Sequence, residues 1–536
     1  MSLSIYADWL SPMCWTGPVL DKELRVLSRR KRTFWIKGLF PVFLALVVLS
    51  GWLSVGRGRG LTAAGLQGLA GLSRSVVLSM TWLQFILCQC MAVMMMSHAM
   101  HDEIRRRTLD VLMTTPVSSM QIVLGKLFGQ LSMVWVVLAL SFPVLAIIRV
   151  WGGVPWAYLV GTGCVTVCTT LCVAAFSLFL ALWVKRSHQA ILIALSFLVL
   201  GYLVGVLGSL SSMIPGHWGL LISPFSVFNA LNQSFYSASV NTSPALWMPL
   251  CGVMLGGSAL FVLLSVFTLR RRILQTIRGT RKTGRFFGIA TRMFLGQKKR
   301  QDRPIRPVAG APVLWKELGA SPWVYLRKQW LWIILLSAGL GLSIVLCPPI
   351  VFQLAASAIR YMVMLRVGVM AALCVAQEKE ARTWTVLLGT PVPDIWLLRH
   401  KAMAVLIRNA AGWIPLFVGF VFYLLHEEDA QSLLLSVMGP FSLLATLYMV
   451  TGMGLFASVR MKTGSMAITA TLIGWVIWQL IMRFVMVLVM SNLGAFGRVS
   501  ANPSIIAYYL ATPILSVVAG AVMFKLAGRN LRKYAY

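Results

Sequence analysis

Acidic residues are scarce in this chain: 14 Asp and Glu among 536 residues, against 48 Lys and Arg. Charge of either sign is scarce as well, at 12% of the residues where soluble proteins carry about 25%. With 58% hydrophobic residues and a mean hydropathy of +0.81, this excludes a soluble chain, since no fold of 59.2 kDa could hide so much apolar surface. No Asp or Glu falls inside any long apolar run, which removes the acidic relay of proton-coupled membrane transport. Catalytic patterns are missing too: HExxH, GxSxG and a buried carboxylate pair are all absent. The nearest string to a Walker A loop, GTRKTGR at 279–285, does not fit GxxxxGK[S/T], because Arg281 and not glycine precedes its Lys-Thr pair. The chain is therefore expected not to be an enzyme, to hold no cofactor or metal, and not to hydrolyse ATP itself. Cysteine provides no disulfide framework, because eight of the nine lie in or at the edge of apolar runs, Cys14 being the exception.

What the chain does have is long apolar runs and a formal net charge of +34. Charge alone would point to nucleic acid, but the hydrophobicity overrules it, and no nucleic-acid partner is expected. A membrane span needs about 20 apolar residues. Twelve stretches qualify: Ile36–Val55, Val76–Met96, Leu127–Ile148, Ala157–Val184, Ala190–Gly208, Leu246–Leu269, Leu331–Phe352, Ala355–Ala376, Ala404–Leu425, Leu433–Ser458, Ser465–Met490 and Ile505–Leu526. With the amino terminus inside, the inner segments hold 40 of the 48 basic residues. That asymmetry is the positive-inside signature, so both termini are expected to be cytoplasmic. The first apolar run follows a basic segment, so no cleavable signal peptide is expected.

The chain repeats itself. PVLDKEL at Pro18–Leu24 returns as PVLWKEL at Pro312–Leu318, each before a basic, aromatic stretch that reads as an amphipathic helix at the inner interface. DEIRRRTLDVLMTTPVSSMQIVLGK at 102–126 aligns without gaps with QEKEARTWTVLLGTPVPDIWLLRHK at 377–401. Glu103 falls on Glu378, Arg107 on Arg382, Thr108 on Thr383, Thr115-Pro116 on Thr390-Pro391 and Lys126 on Lys401. A weaker echo links SPFSVFNAL at 223–231 to NPSIIAYYL at 502–510. The expected fold is an all-α polytopic membrane protein of about 12 transmembrane helices in two parallel six-helix repeats. Its divisions are a first half at 1–269, a basic cytoplasmic linker at 270–310 and a second half at 311–536.

In the segment at 102–126 a span leaves the bilayer as a helix bearing Glu103 and Arg107, an i,i+4 pair. Leu109, Val111, Leu112 and Met113 follow outside the membrane, and Thr-Pro is expected to end the helix. Ser118 or Ser119 can cap the next one. An apolar knuckle of this kind facing the cytoplasm invites a protein partner.

At these residues the chain resembles the permease subunits of type-two ATP-binding-cassette exporters. The repeated segment looks like that family's coupling helix, and PVLxKEL like its interfacial helix. The resemblance implies two six-span halves fused in one chain, separate cytoplasmic ATPase subunits as partners, and location in the cell membrane (the cytoplasmic membrane in a bacterium). It implies ATPase contact at Glu103, Arg107, Thr108, Leu109, Leu112, Thr115 and Pro116, and again at Glu378, Arg382, Thr383, Trp384, Leu387, Thr390 and Pro391. The interfacial helices would carry Lys22 and Glu23, and Lys316 and Glu317. A twelve-span secondary transporter and a membrane scaffold are the alternatives.

Three arginines, Arg360, Arg366 and Arg483, fall inside expected spans without an acidic partner. Arg366, nearest a span centre, is the candidate cargo-path residue, with an anionic group as the feature it would meet. The outer loop at 209–245 is expected to form re-entrant or interfacial helices, and the basic linker to meet anionic lipid headgroups. Cys164, Cys168 and Cys172 share one helix face, as do Met91, Met94, His98 and His101; both faces are expected to pack rather than bind metal.

Overall fold

The computed structural model describes residues 12–28, 63–106, 117–152, 154–184, 187–210, 223–236, 244–277, 311–319, 321–346, 349–426, 430–495 and 502–531. By its internal contacts the chain divides into two units, Met1–Gln297 and Lys298–Tyr536. In the first unit the helices are α1 (Pro12–Ser28), α2 (Ala63–Arg106), α3 (Ser119–Gly152), α4 (Trp156–Trp183), α5 (Ser187–Leu210), α6 (Pro224–Tyr236) and α7 (Pro244–Ile277). The second unit has α8 (Pro312–Leu318), α9 (Pro322–Leu346), α10 (Pro349–Glu380), α11 (Trp384–Leu388) and α12 (Asp394–Arg408). It continues with α13 (Ala410–His426), α14 (Ala430–Arg460), α15 (Gly464–Ala495) and α16 (Asn502–Asn530).

Most expected spans on described residues follow a single helix, but Leu331–Phe352 runs from α9 into α10, Ala404–Leu425 runs from α12 into α13, and Ile36–Val55 lies outside the described residues. Among the described residues seven helices are long and apolar enough to cross a membrane: Met80–His101, Ser119–Ile147, Trp156–Trp183, Trp247–Leu269, Ala355–Glu380, Met438–Arg460 and Ala511–Asn530. Their outer faces stay apolar where no neighbour covers them; Phe267 is 69% exposed and Ile514 62%. In water such faces would aggregate, and in lipid they are solvated.

The ninth expected span, Ala404–Leu425, is corrected by the structure. It straddles a 70° break between α12 and α13 at Asn409. Pro415 lies inside α13, where its missing N–H leaves the Ala411 carbonyl, in the first turn after the break, without its helical donor. The broken backbone is satisfied by one side chain: Gln329 Oε1 accepts from Ala411 N (3.1 Å), and its Nε2 donates to Arg408 O (3.2 Å). The same lesson in local chemistry holds at Ser118, whose hydroxyl accepts from Gln121 N at 3.2 Å while Gln121 Oε1 accepts from Ser118 N at 3.1 Å. That reciprocal pair is a capping box starting α3. In the outer loop, α6 docks on α5, α4 and α7, with Phe228 stacked on Phe85 (4.4 Å between centroids).

Each unit is built around one central helix. In the first, α4 lies between α2 and α7; in the second, α14 lies between α10 and α16. The seams differ in chemistry. Along α2 and α4, Gln89 Nε2 donates to Thr169 Oγ1 (2.7 Å), Ser97 pairs with Ser177 (2.9 Å), and His101 Nε2 meets Val184 O (3.0 Å). Cys164 and Cys168 pack beside Phe85, Leu250 and Cys251. The second unit relies on close approach: a methyl placed on Gly452 would lie 2.8 Å from Gly520 O, and one on Gly454 2.5 Å from Ala371 Cβ. Small residues let membrane helices meet backbone to backbone. Gly452→Val should therefore destabilise by about 1–3 kcal/mol through overpacking. Gly256→Ala, where a methyl meets nothing within 4 Å, should be neutral or better. Thermal unfolding of the purified protein in detergent checks both.

Candidate coupling site

The charges in the repeated motifs converge. In the second unit α8 starts on Pro312 and stops at Gly319, whose φ of 65° is the left-handed geometry that only glycine adopts freely; its N–H donates to Trp315 O at 2.8 Å. This short helix packs on α12 and holds Glu317 toward it. Helix α10 carries Glu378 near its C-terminal end. Lys401, on α12, has no exposed side-chain surface, and its Nζ donates to Glu317 Oε1 at 2.7 Å and Cys374 O at 3.0 Å, with Glu378 Oε1 at 3.1 Å. An ammonium has three donors, and here three acceptors meet them. Each carboxylate also meets one further cation: Lys316 lies 3.0 Å from Glu378, and Arg408 3.5 Å from Glu317.

The first unit repeats the arrangement. Lys126, 2% exposed, lies 2.7 Å from Glu103 Oε1 and 3.6 Å from Glu23 Oε1, with Ala99 O at 3.5 Å. Ala99 and Cys374 are aligned residues, so even the carbonyl is repeated. Gln130 Nε2 adds a hydrogen bond to Glu23 Oε2 at 2.9 Å. In both units one buried lysine therefore ties three separate segments together: the helix of the PVLxKEL motif, the C-terminal end of the long helix that carries the second glutamate, and the helix that follows the Thr-Pro segment.

The coupling segment is fully described only in the second unit. Helix α10 ends before the Thr-Pro, because Arg382 takes φ 57° and Thr383 N returns to Glu378 O at 3.0 Å. The helix thus ends before Thr390-Pro391, and Glu378 pairs with Lys316 and Lys401 while Arg382 is exposed beyond the helix end; the pair expected between Glu103 and Arg107 in the first copy involves a residue outside the described ones. The five-residue α11 follows. Trp384 does not face outward: it is 1% exposed and sits in a cluster with Val313 of α8, Val375 of α10, Leu397 and Leu398 of α12, Leu455 and Val459 of α14, and Ala527 and Leu531. Leu387 packs against that cluster as well. The outward apolar surface is instead Val386 (74% exposed), with Ile395 and Trp396 on α12 (55% and 54%). Thr383, Thr390 and Pro391 are exposed. In the first copy Glu103 is described, but Arg107, Thr108, Leu109, Leu112, Thr115 and Pro116 lie outside the described residues. Lys22 is exposed on α1.

Lys126, Lys401 and Val386 were not among the expected site residues. The two lysines did carry a signal, since they align at the ends of the repeated segments. Of the intramembrane arginines, Arg360 donates to Ser442 Oγ (2.9 Å) and Thr446 Oγ1 (3.3 Å), while the side chain of Arg483 lies outside the described residues. No group of three His, Cys, Asp or Glu suited to a metal occurs among the described residues.

Residues 18–274 match the family model described as ABC-2 family transporter protein, so this stretch is similar to the membrane permease component of such transport systems. The match begins at Pro18, the first residue of the first PVLxKEL motif, and covers the first buried lysine and both its carboxylates. No curated protein matches the chain. Together with the apolar helices, the match supports a multi-pass membrane protein of the transport class, with a matched region similar to a permease component.

Removing Lys401 would leave Glu317 and Glu378 facing each other at the base of three helices. Lys401→Met should cost about 3–5 kcal/mol, the usual penalty for breaking one side of a buried pair. Adding Glu317→Gln to it should recover part of that loss. Thermal melts of the single and double variants in detergent read the difference, and equal melting points for Lys401→Met and the parent would remove the site's structural importance.

Proposed function

We propose that this chain is the permease of an ATP-binding-cassette export system, with both six-span halves in one polypeptide and energy from separate cytoplasmic ATPase subunits. The single observation that carries the reading is the doubled lysine knot. A segment held on one side by a buried Lys–Glu pair and on the other by a buried tryptophan transmits force instead of absorbing it. A push on α11 acts through Trp384 on side chains of α8, α10, α12, α14 and α16 together. The ATPases would dock at residues 103–116 and 378–391, with Val386 as the apolar knob of the second contact. Closure of two ATPases on ATP would then tilt the bases of both halves and alternate access to a central path. The family match supports the permease role, and the basic inner loops support cytoplasmic docking in the cell membrane. The basic linker would lie against anionic lipid.

Purified from its native membranes, the chain should carry with it a polypeptide that hydrolyses ATP. Val386→Glu should lower the co-purified ATPase activity at least about tenfold, since a charge buried at an interface without a partner costs several kcal/mol. Its melting point should not move, because Val386 is exposed. Trp384→Ala should instead lower the melting point, by about 3–5 kcal/mol of lost stability. Full ATPase association by a folded Val386→Glu variant would count against docking at this segment.

A further inference from the structure

The aligned halves differ most sharply at one buried place. Carrying the gapless alignment outwards from the two glutamates and the two lysines sets Cys88, Met91, Met133 and Val134 opposite Val363, Arg366, Arg408 and Asn409. In the first unit those four residues form one dry cluster, with Leu87, Met95 and Leu138 packed against it. The second unit puts two arginines and an asparagine into the same place. Arg408 is answered: its guanidinium meets the Glu317 carboxylate at 3.5 Å and also donates to the Glu317 carbonyl. Arg366 has no hydrogen bond or ion pair among the described residues, and its Nε is buried without an acceptor. Asn409, 3% exposed, donates Nδ2 to Val405 O (2.7 Å) and Met370 Sδ (3.3 Å), while its Oδ1 is also buried without a partner.

Arg366 faces the break between α12 and α13. Its helix neighbours on the same face fix this: Val363 closes on Gly412, where a methyl would lie 2.5 Å away, and Met370 touches Asn409. The break is also where the chain changes solvent. Helix α12 carries Arg399, Lys401 and Arg408, and α13 has no Asp, Glu, Lys or Arg. Beside it, Trp323 and Trp330 of α9 stand 82% and 54% exposed, the placement of aromatic residues at headgroup depth. A desolvated guanidinium without a counter-ion is costly, and its fork fits two oxygens of one phosphate.

We propose that Arg366 binds the phosphate of an anionic inner-leaflet lipid at the α12–α13 break, making the second half a lipid-headgroup site that the first half does not have. The shared chemistry is a phosphate-type anion, and the lipid rather than the free ion is favoured by the neighbouring tryptophans and the polar-to-apolar step. The binding needs no ATPase, so it stands or falls separately from the transport reading.

The full chain is reconstituted in nanodiscs of phosphatidylcholine, with or without phosphatidylglycerol, and its melting point is followed; lipid retained after transfer to detergent is counted by native mass spectrometry. Phosphatidylglycerol should raise the melting point of the parent protein and be retained at least about fivefold over phosphatidylcholine, as expected for a ligand that binds only the folded state. Arg366→Met installs the residue that the first unit already packs at this place, so it should fold at least as well in phosphatidylcholine, yet lose both the shift and the preference. Arg366→Lys should keep part of each, and Arg360→Ala, at an arginine already held by Ser442 and Thr446, should change neither. An unchanged preference in folded Arg366→Met, or no preference in the parent, overturns the proposal. So does displacement of the lipid by millimolar inorganic phosphate, which would make the free ion the ligand.

Discussion

A lysine ammonium withdrawn from water must find acceptors for three protons and a counter-charge, or the helix that carries it cannot pack. In each half of this chain that demand is met by two glutamates from different segments and one backbone carbonyl. For Lys401 the partners are Glu317, Glu378 and Cys374 O; for Lys126 they are Glu23, Glu103 and Ala99 O. The architecture around the repeated segments follows from these contacts. The short helix α8 must stop at Gly319 so that Glu317 can stay beside Lys401 while α9 turns away. Helix α10 must end soon after Glu378, which the left-handed Arg382 accomplishes. Helix α12 must then begin close enough to return its lysine to the same point.

Much of this was legible in the sequence, and the reason is periodicity. Long apolar runs identified the helices, and the gapless repeat identified Glu103 with Glu378 and Lys126 with Lys401. The capping of α3 by Ser118 was legible because a capping box is a contact between residues three apart. The partners of the charges were not. Carried across the alignment, the i,i+4 rule applied to Glu103 and Arg107 would pair Glu378 with Arg382, whereas its partners are Lys401 and Lys316, the latter 62 residues earlier in the chain. The i,i+4 rule fails there because it assumes a continuing helix, and the helix ends. Trp384 was misplaced for a related reason: an apolar tip outside the membrane looks exposed until the bases of α8, α10, α12, α14 and α16 are seen to enclose it. The break at Asn409 left a trace in Pro415, but a proline in an apolar run is as often tolerated, as Pro143 is within α3.

The two halves also show which features of a repeat are set by charge and which by packing. The charge knots match residue for residue. The helix seams do not, since α2 and α4 meet through Gln89–Thr169, Ser97–Ser177 and a histidine, while the equivalent α10 and α14 meet where Gly454 approaches Ala371 and where Arg360 bonds Ser442 and Thr446. Hydroxyl side chains can bond to their own helix, as Thr166 does to Thr162 O at 2.7 Å, so they fill a seam without demanding a fixed partner. Glycines fill it by letting the backbones approach. Either solution buries the same helices, so packing chemistry is free to drift where a desolvated charge is not.

The knots also limit where each half can bend. In the second half α8, the end of α10 and α12 share Lys401, and Trp384 binds α11 to the same group, so these pieces move as one body. A tilt delivered at α11 must then be taken up at joints outside the knot. The structure offers one at Gly319, between α8 and α9, and another at Asn409, between α12 and α13. Gln329 of α9 bonds both sides of the second joint, so the α9 helix follows the bend instead of resisting it. In the first half α1 and α3 run through the corresponding positions without a break, as α1 continues to Ser28 and α3 to Gly152. Equal pushes on the two coupling segments would therefore give unequal motions, a rigid tilt in the first half and a hinged one in the second, and the asymmetry resides in the helices rather than in the charges that drive them.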